Sequence, residues 1–91
     1  MSYWLSLDMT EEFVANVGRL DHGDMSVVID VLRFLDGQIE NGHQVILAYL
    51  PDESVRSGKE DWEVRIPVPN ISLIFEVIGD QRRFHTCTKH P

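Results

Sequence analysis

The sequence predicts an α+β domain: an N-terminal strand, a helical hairpin, then a three-stranded antiparallel meander, with the helices on one face of the sheet. Two observations carry the prediction. Between residues 13 and 39 apolar side chains recur at the 3.6-residue spacing of amphipathic helices, and between residues 62 and 89 they recur every second residue between turn pairs. Length adds a third. A chain of 91 residues hides roughly 60% of the surface its unfolded form exposes, enough for one core, so residues 1–91 are read as a single domain.

Each element has its own signal. Residues 3–7 are short, aromatic and bounded by Asp8, a strand pattern. Asp8 precedes Glu11 by three residues, the spacing of an N-cap and its reciprocal partner. Phe13, Val14, Val17 and Leu20 then form one apolar helical face. Asp24 predicts a second N-cap, after which Met25, Val28, Ile29, Leu32, Leu35 and Ile39 trace another stripe that Asn41-Gly42 stops. The hairpin thus covers residues 10–41 and packs through Phe13, Val17, Val28, Leu32 and Leu35.

The second half changes period. Residues 45–50 are apolar throughout, a run that periodicity assigns to neither helix nor strand. Residues 51–61 read as a polar loop. Trp62, Val64, Ile66 and Val68 alternate with Glu63, Arg65 and Pro67, predicting a half-buried strand over 62–68. After a turn at Pro69-Asn70, residues 71–78 are apolar on both faces, which places that strand mid-sheet. Gly79-Asp80 turns the chain into a last strand at 82–89.

Composition narrows the function. The single cysteine, Cys87, excludes an internal disulfide, and no apolar run approaches the ~18 residues of a membrane span. A reduced, cytoplasmic protein with no membrane partner is expected. The net charge of −7 argues against non-specific nucleic-acid binding, which relies on cationic side chains to displace counterions. The charge is uneven, however: residues 1–50 carry −6 and residues 51–91 only −1. Arg65, Arg82, Arg83 and Lys89, with His85 and His90, make a local cationic surface conceivable on an acidic chain.

His85, Cys87 and His90 are metal-ligand types. Regular alternation puts 85 and 87 on one face and 90 on the other, with no fourth ligand nearby, so no metal is expected. There is no Gly-rich phosphate loop, nucleophile motif or carboxylate pair at catalytic spacing, and no cofactor is expected.

The run Trp62-Glu63-Val64-Arg65-Ile66, the turn, Ile71-Ser72-Leu73-Ile74-Phe75-Glu76-Val77 and the closing Arg83-Phe84-His85-Thr86-Cys87-Thr88-Lys89-His90 resemble the RelE/ParE superfamily of bacterial toxins. The resemblance covers the chain as topology and about the last 30 residues as sequence. It implies the toxin of a toxin–antitoxin pair, with an antitoxin protein or a second copy as partner, and the ribosome and its mRNA as target in the nuclease members. By position, Arg65 matches the basic residue of the first motif strand. His90 matches the histidine that YoeB-like members carry just before a terminal tyrosine. Arg82, Arg83, His85 and Lys89 are weaker candidates.

The sequence departs from that pattern in four respects. The loop that is often Lys-rich in that family offers only Arg56 and Lys59 among Asp52, Glu53, Glu60 and Asp61. Asn70-Ile71-Ser72 stands where the phosphate-binding arginine would open its strand, Pro91 stands in place of the tyrosine, and the chain is acidic where ribosome-directed members are basic. Two functions are therefore expected in competition. One is a toxin-like endoribonuclease with a degenerate active site, cleaving mRNA by 2′-OH attack. The other is a non-catalytic, acidic protein-binding module. Convergence of Arg65, Arg82, Arg83 and His90 on the sheet favours the first; acids lining it favour the second.

Overall fold

The computed structural model describes residues 6–50 and 60–91. In chain order the elements are β1 (Ser6–Met9), α1 (Glu11–Gly18), α2 (His22–Leu35), β2 (Ile46–Leu50), β3 (Glu60–Ile66), β4 (Ile71–Ile78) and β5 (Gln81–Lys89). All five strands join one mixed sheet in the order β1-β5-β4-β3-β2. Neighbours are antiparallel except β1 and β5, which run parallel.

This corrects the expected hairpin-plus-meander architecture. The apolar run at 45–50 supplies a further strand, β2, antiparallel to β3. The N-terminal strand joins the sheet by parallel pairing to the last strand, a contact across some 75 residues that no local pattern signals. Nor do the helices form a hairpin held by each other. α1 lies chiefly along β5 and meets α2 only thinly.

Several boundaries also move, each for a nameable reason. Thr10, not Asp8, caps α1, its hydroxyl accepting from the Phe13 amide at 3.1 Å; Asp8 is drawn into β1 opposite Arg83. Asp21, not Asp24, caps α2 through the Asp24 amide at 2.8 Å. α2 ends at Leu35, where Gly37 adopts φ +75°, a left-handed conformation that glycine takes without a Cβ clash and that stops a helix short of Asn41. β3 likewise ends at Ile66, before the turn at 67–70 in which Val68–Pro69 is cis and Asn70 has φ +72°. Expected strand residues 3–5 and residues 51–59 of the loop expected over 51–61 lie outside the described residues, while Glu60 and Asp61 belong to β3 rather than to that loop.

One face of the sheet carries the core. Val64 and Ile66 of β3, Ile71, Leu73 and Phe75 of β4, and Phe84 and Cys87 of β5 bury against Phe13 of α1 and Val28 and Val31 of α2. Phe84 is the centre, its ring centroid 5.6 Å from Phe13 and 4.9 Å from Phe75. Val17, Leu32 and Leu35 pack partly buried around it. Ile29, placed on the apolar stripe by its spacing, is instead exposed, and Val31 takes the buried position. Two charged staples tie helix to sheet on this side. Arg82 is buried and donates to the Leu35 carbonyl at 2.9 Å, and Lys89 closes on the buried Asp24 carboxylate.

No helix among the described residues is long and apolar enough to cross a membrane.

Candidate functional site

Neither helix of the described residues lies over the other face of the sheet, and register alone assigns its residues. Pairing runs Arg65↔Ser72↔Thr88 across β3, β4 and β5, so these three side chains share one row. The alternation that sends Val64, Ile66, Ile71 and Leu73 into the core sends Arg65 and Ser72 out the opposite side. Here the structure brings together the two leading sequence candidates. The Ser72 hydroxyl and His90 Nε2 share a hydrogen bond of 2.8 Å, and Arg65 Nη2 donates to Asn70 Oδ1 at 3.0 Å. The backbone closes the group, the His90 amide donating to the Asn70 carbonyl at 2.9 Å. Ser72 is 2% exposed beneath this cluster, whereas Arg65 and His90 are half-buried.

A β-bulge decides the rest. The β4–β5 register slips between Ile74 and Phe75, leaving His85 as the extra residue between Phe84, opposite Phe75, and Thr86, opposite Ile74. Cys87 therefore turns into the core and His85 onto the open face. The expectation that 85 and 87 share a face is corrected: His85 and His90 share the open side, and Cys87 lies behind the sheet. Burial pushes the Cys87 thiol up from its ordinary 9.0, so it stays protonated at neutral pH.

The weaker candidates separate. Arg82 points into the core, where burial lowers its pKa against the opposing pull of Asp36, and it serves as a structural staple. Lys89 also faces the helix side. Its pKa is raised, first by its hydrogen bond to Asp24 and further by the charges of Asp24 and Asp21. Arg83 does lie on the open face, but its Nε donates to Asp8 Oδ2 at 3.1 Å, toward the β1 edge. His85 Nε2 stands 3.5 Å from Asp61 Oδ1, and its Nδ1 hydrogen-bonds Thr86 Oγ1 at 2.8 Å. Of six basic candidates, only Arg65 and His90 converge.

Sequence reasoning missed Ser72. Its signal was present: it is the one hydroxyl in an otherwise apolar stretch from Ile71 to Phe75. Asn70, legible in the sequence as a turn residue standing where an arginine is expected, also accepts from Arg65 through its side chain and so orients it. Acidic residues were also undervalued, for register places Asp8, Asp61, Glu63 and Glu76 on the same open face.

Chemically, the cluster offers a fixed guanidinium and an imidazole held by a buried hydroxyl. A cation beside a proton-transfer group suits an anionic oxygen acquiring charge. No group of three or more His, Cys, Asp or Glu side chains that could hold a metal occurs among the described residues. Compared with family models, curated proteins and solved structures, the chain matches none.

Proposed function

We propose that this chain is a toxin-like protein that engages an RNA phosphodiester on the open face of its sheet, at Arg65, Ser72 and His90. The observation that supports the reading is the meeting of Arg65 and His90 around Ser72 and Asn70. In that role His90 takes the proton of a ribose 2′-OH as its oxygen bonds to the adjacent phosphorus, and Arg65 stabilises the charge that develops on the phosphorane. The P–O5′ bond then breaks to leave a 2′,3′-cyclic phosphate and a 5′-oxygen that takes its proton back from the His90 imidazolium or from water. Ser72 acts by holding the ring of His90. The acidic net charge and the absence of an arginine at 70–72 make affinity for free RNA weak. An antitoxin protein is the partner this reading entails.

Expression of the wild type beside Arg65→Ala and His90→Ala, followed by growth curves and mapping of mRNA 5′ ends, tests it. Toxicity with new 5′-hydroxyl ends, lost in either variant, supports the proposal. Strong toxicity that both variants keep overturns the site.

A second reading is the one the charge criterion favours, since Arg82 and Arg83 do not join Arg65 and His90 and acids line the face. Asp8, Asp61, Glu63 and Glu76 share the face, while Arg83 and His85 are engaged by Asp8 and Asp61. Such a surface suits a basic protein partner better than a polyanion. A wild type that neither slows growth nor cuts RNA, but retains a basic partner in a salt-sensitive complex, favours the non-catalytic binding module.

A further inference from the structure

The two edges of the sheet differ. β1, at one end, is four residues long and carries Asp8 in its middle, a charge of the kind that discourages strand addition. β2, at the other end, has no such protection. From Val45 to Leu50 there is no charged residue, proline or glycine, and its pairing to β3 runs without a bulge. The strand is nonetheless open: Ile46 is 48%, Leu47 58% and Tyr49 50% exposed. Leu47 and Tyr49 stand on the helix side, in register with Val64 and Trp62, and Ile46 on the open side, in register with Arg65. Apolar side chains therefore protrude on both faces of an edge whose outer backbone groups, among the described residues, have no strand beside them in the sheet.

We propose that β2 is a self-association edge, pairing antiparallel with β2 of a second copy to make a continuous ten-stranded sheet. The sequence of the strand is suited to a twofold axis. With Ala48 opposite Ala48 at the dyad, Leu47 of each copy faces Tyr49 of the other on the helix side, and Ile46 faces Leu50 on the open side. Each pair is apolar against apolar, with the smallest side chain where the two chains cross the axis. A charged partner gains nothing here, because the strand offers no charge to recognise. Five residues a side fall well below the roughly 20–30 of a typical stable interface, so the dimer is expected to be weak and reversible. Two copies of charge −7 repel one another, so salt strengthens the pairing by screening.

Sedimentation velocity from about 1 to 100 μM, at about 50 and 500 mM salt, reads this directly. The wild type is expected to dimerise, more strongly at the higher salt. Leu47→Lys and Ile46→Lys, both at exposed positions, are expected to stay monomeric at concentrations at least about tenfold above the wild-type midpoint, because each dimer then carries lysines at its apolar seam. Val68→Lys adds the same charge at an 80% exposed site off the strand and leaves the dimer intact. In the wild type, amide exchange over residues 46–50 slows as concentration rises, a reading that stands even if a variant unfolds. A wild type monomeric throughout at high salt, a dimer that survives both substitutions, or one that weakens with salt overturns the proposal.

Discussion

Ser72 and His90 lie eighteen residues apart in the chain and share a hydrogen bond of 2.8 Å, the serine nearly sealed from solvent and the imidazole half-open above it. Ser72→Ala removes that partner and is expected to cost ~0.5–1.5 kcal/mol of stability, read as a lower urea midpoint at unchanged slope. If the site handles phosphodiesters, the same substitution lowers RNA cleavage more than it lowers stability. Ser72→Thr, which keeps the hydroxyl, restores part of the activity.

Arg82 joins the sheet to the end of α2 through the Leu35 carbonyl. Arg82→Met keeps the apolar stem but leaves that carbonyl without its charged donor. A loss of ~1–3 kcal/mol is expected in chemical denaturation, with amide protection falling first near residues 32–36.

The Phe13–Phe84–Phe75 stack is the centre of the core. Phe84→Ala is expected to cost ~3–5 kcal/mol, a large part of the stability of a domain this size, and to leave little cooperative unfolding by calorimetry. Val14→Ala, on the exposed side of α1, is expected to change the midpoint little.

Alkali weakens the fold through two groups. Lys89 holds its proton more tightly when folded, chiefly through its hydrogen bond to Asp24, so its contribution is whole below the unfolded value of 10.5 and disappears as pH rises through the folded one. Cys87 behaves alike for a different reason: burial disfavours its thiolate, so ionisation in the unfolded chain draws stability away above its ordinary 9.0. Urea midpoints should hold from pH 7 to about 9 and then fall. Cys87→Ala is expected to flatten the first part of that decline and Lys89→Met the later part. Iodoacetamide should label Cys87 only as fast as the domain opens.

What was legible in the sequence was local. β3, β4 and β5 could be read because alternation is written into neighbouring residues. α1 and α2 could be read, except at their ends, where Asp8 and Thr10 offer similar capping chemistry and only the distant Arg83 decides between them. β2 was ambiguous because an edge strand apolar on both faces has no period to detect. The site was half legible. Arg65 and His90 stood out by type and position, but their meeting depends on the row Arg65↔Ser72↔Thr88, and the placement of His85 and Cys87 depends on a bulge. Both are properties of pairing between strands, which no single segment encodes.

The parallel pairing of Ser6–Met9 with Gln81–Phe84 has a consequence for the order in which the molecule is made. During vectorial synthesis the earliest strand emerges with nothing to pair to, and its berth does not exist until residues 81–84 have left the tunnel. α1 faces the same wait, since Thr10 donates to Phe84 and Phe13 packs on it. Closing so long a loop is entropically slow, and contacts this distant in sequence place a chain among the slower small folders. Between the synthesis of β1 and that of residues 81–84, β1 and the core-facing side of α1 stay uncovered, a window in which a holdase or a co-translational partner has access to surfaces, Phe13 above all, that the folded molecule buries.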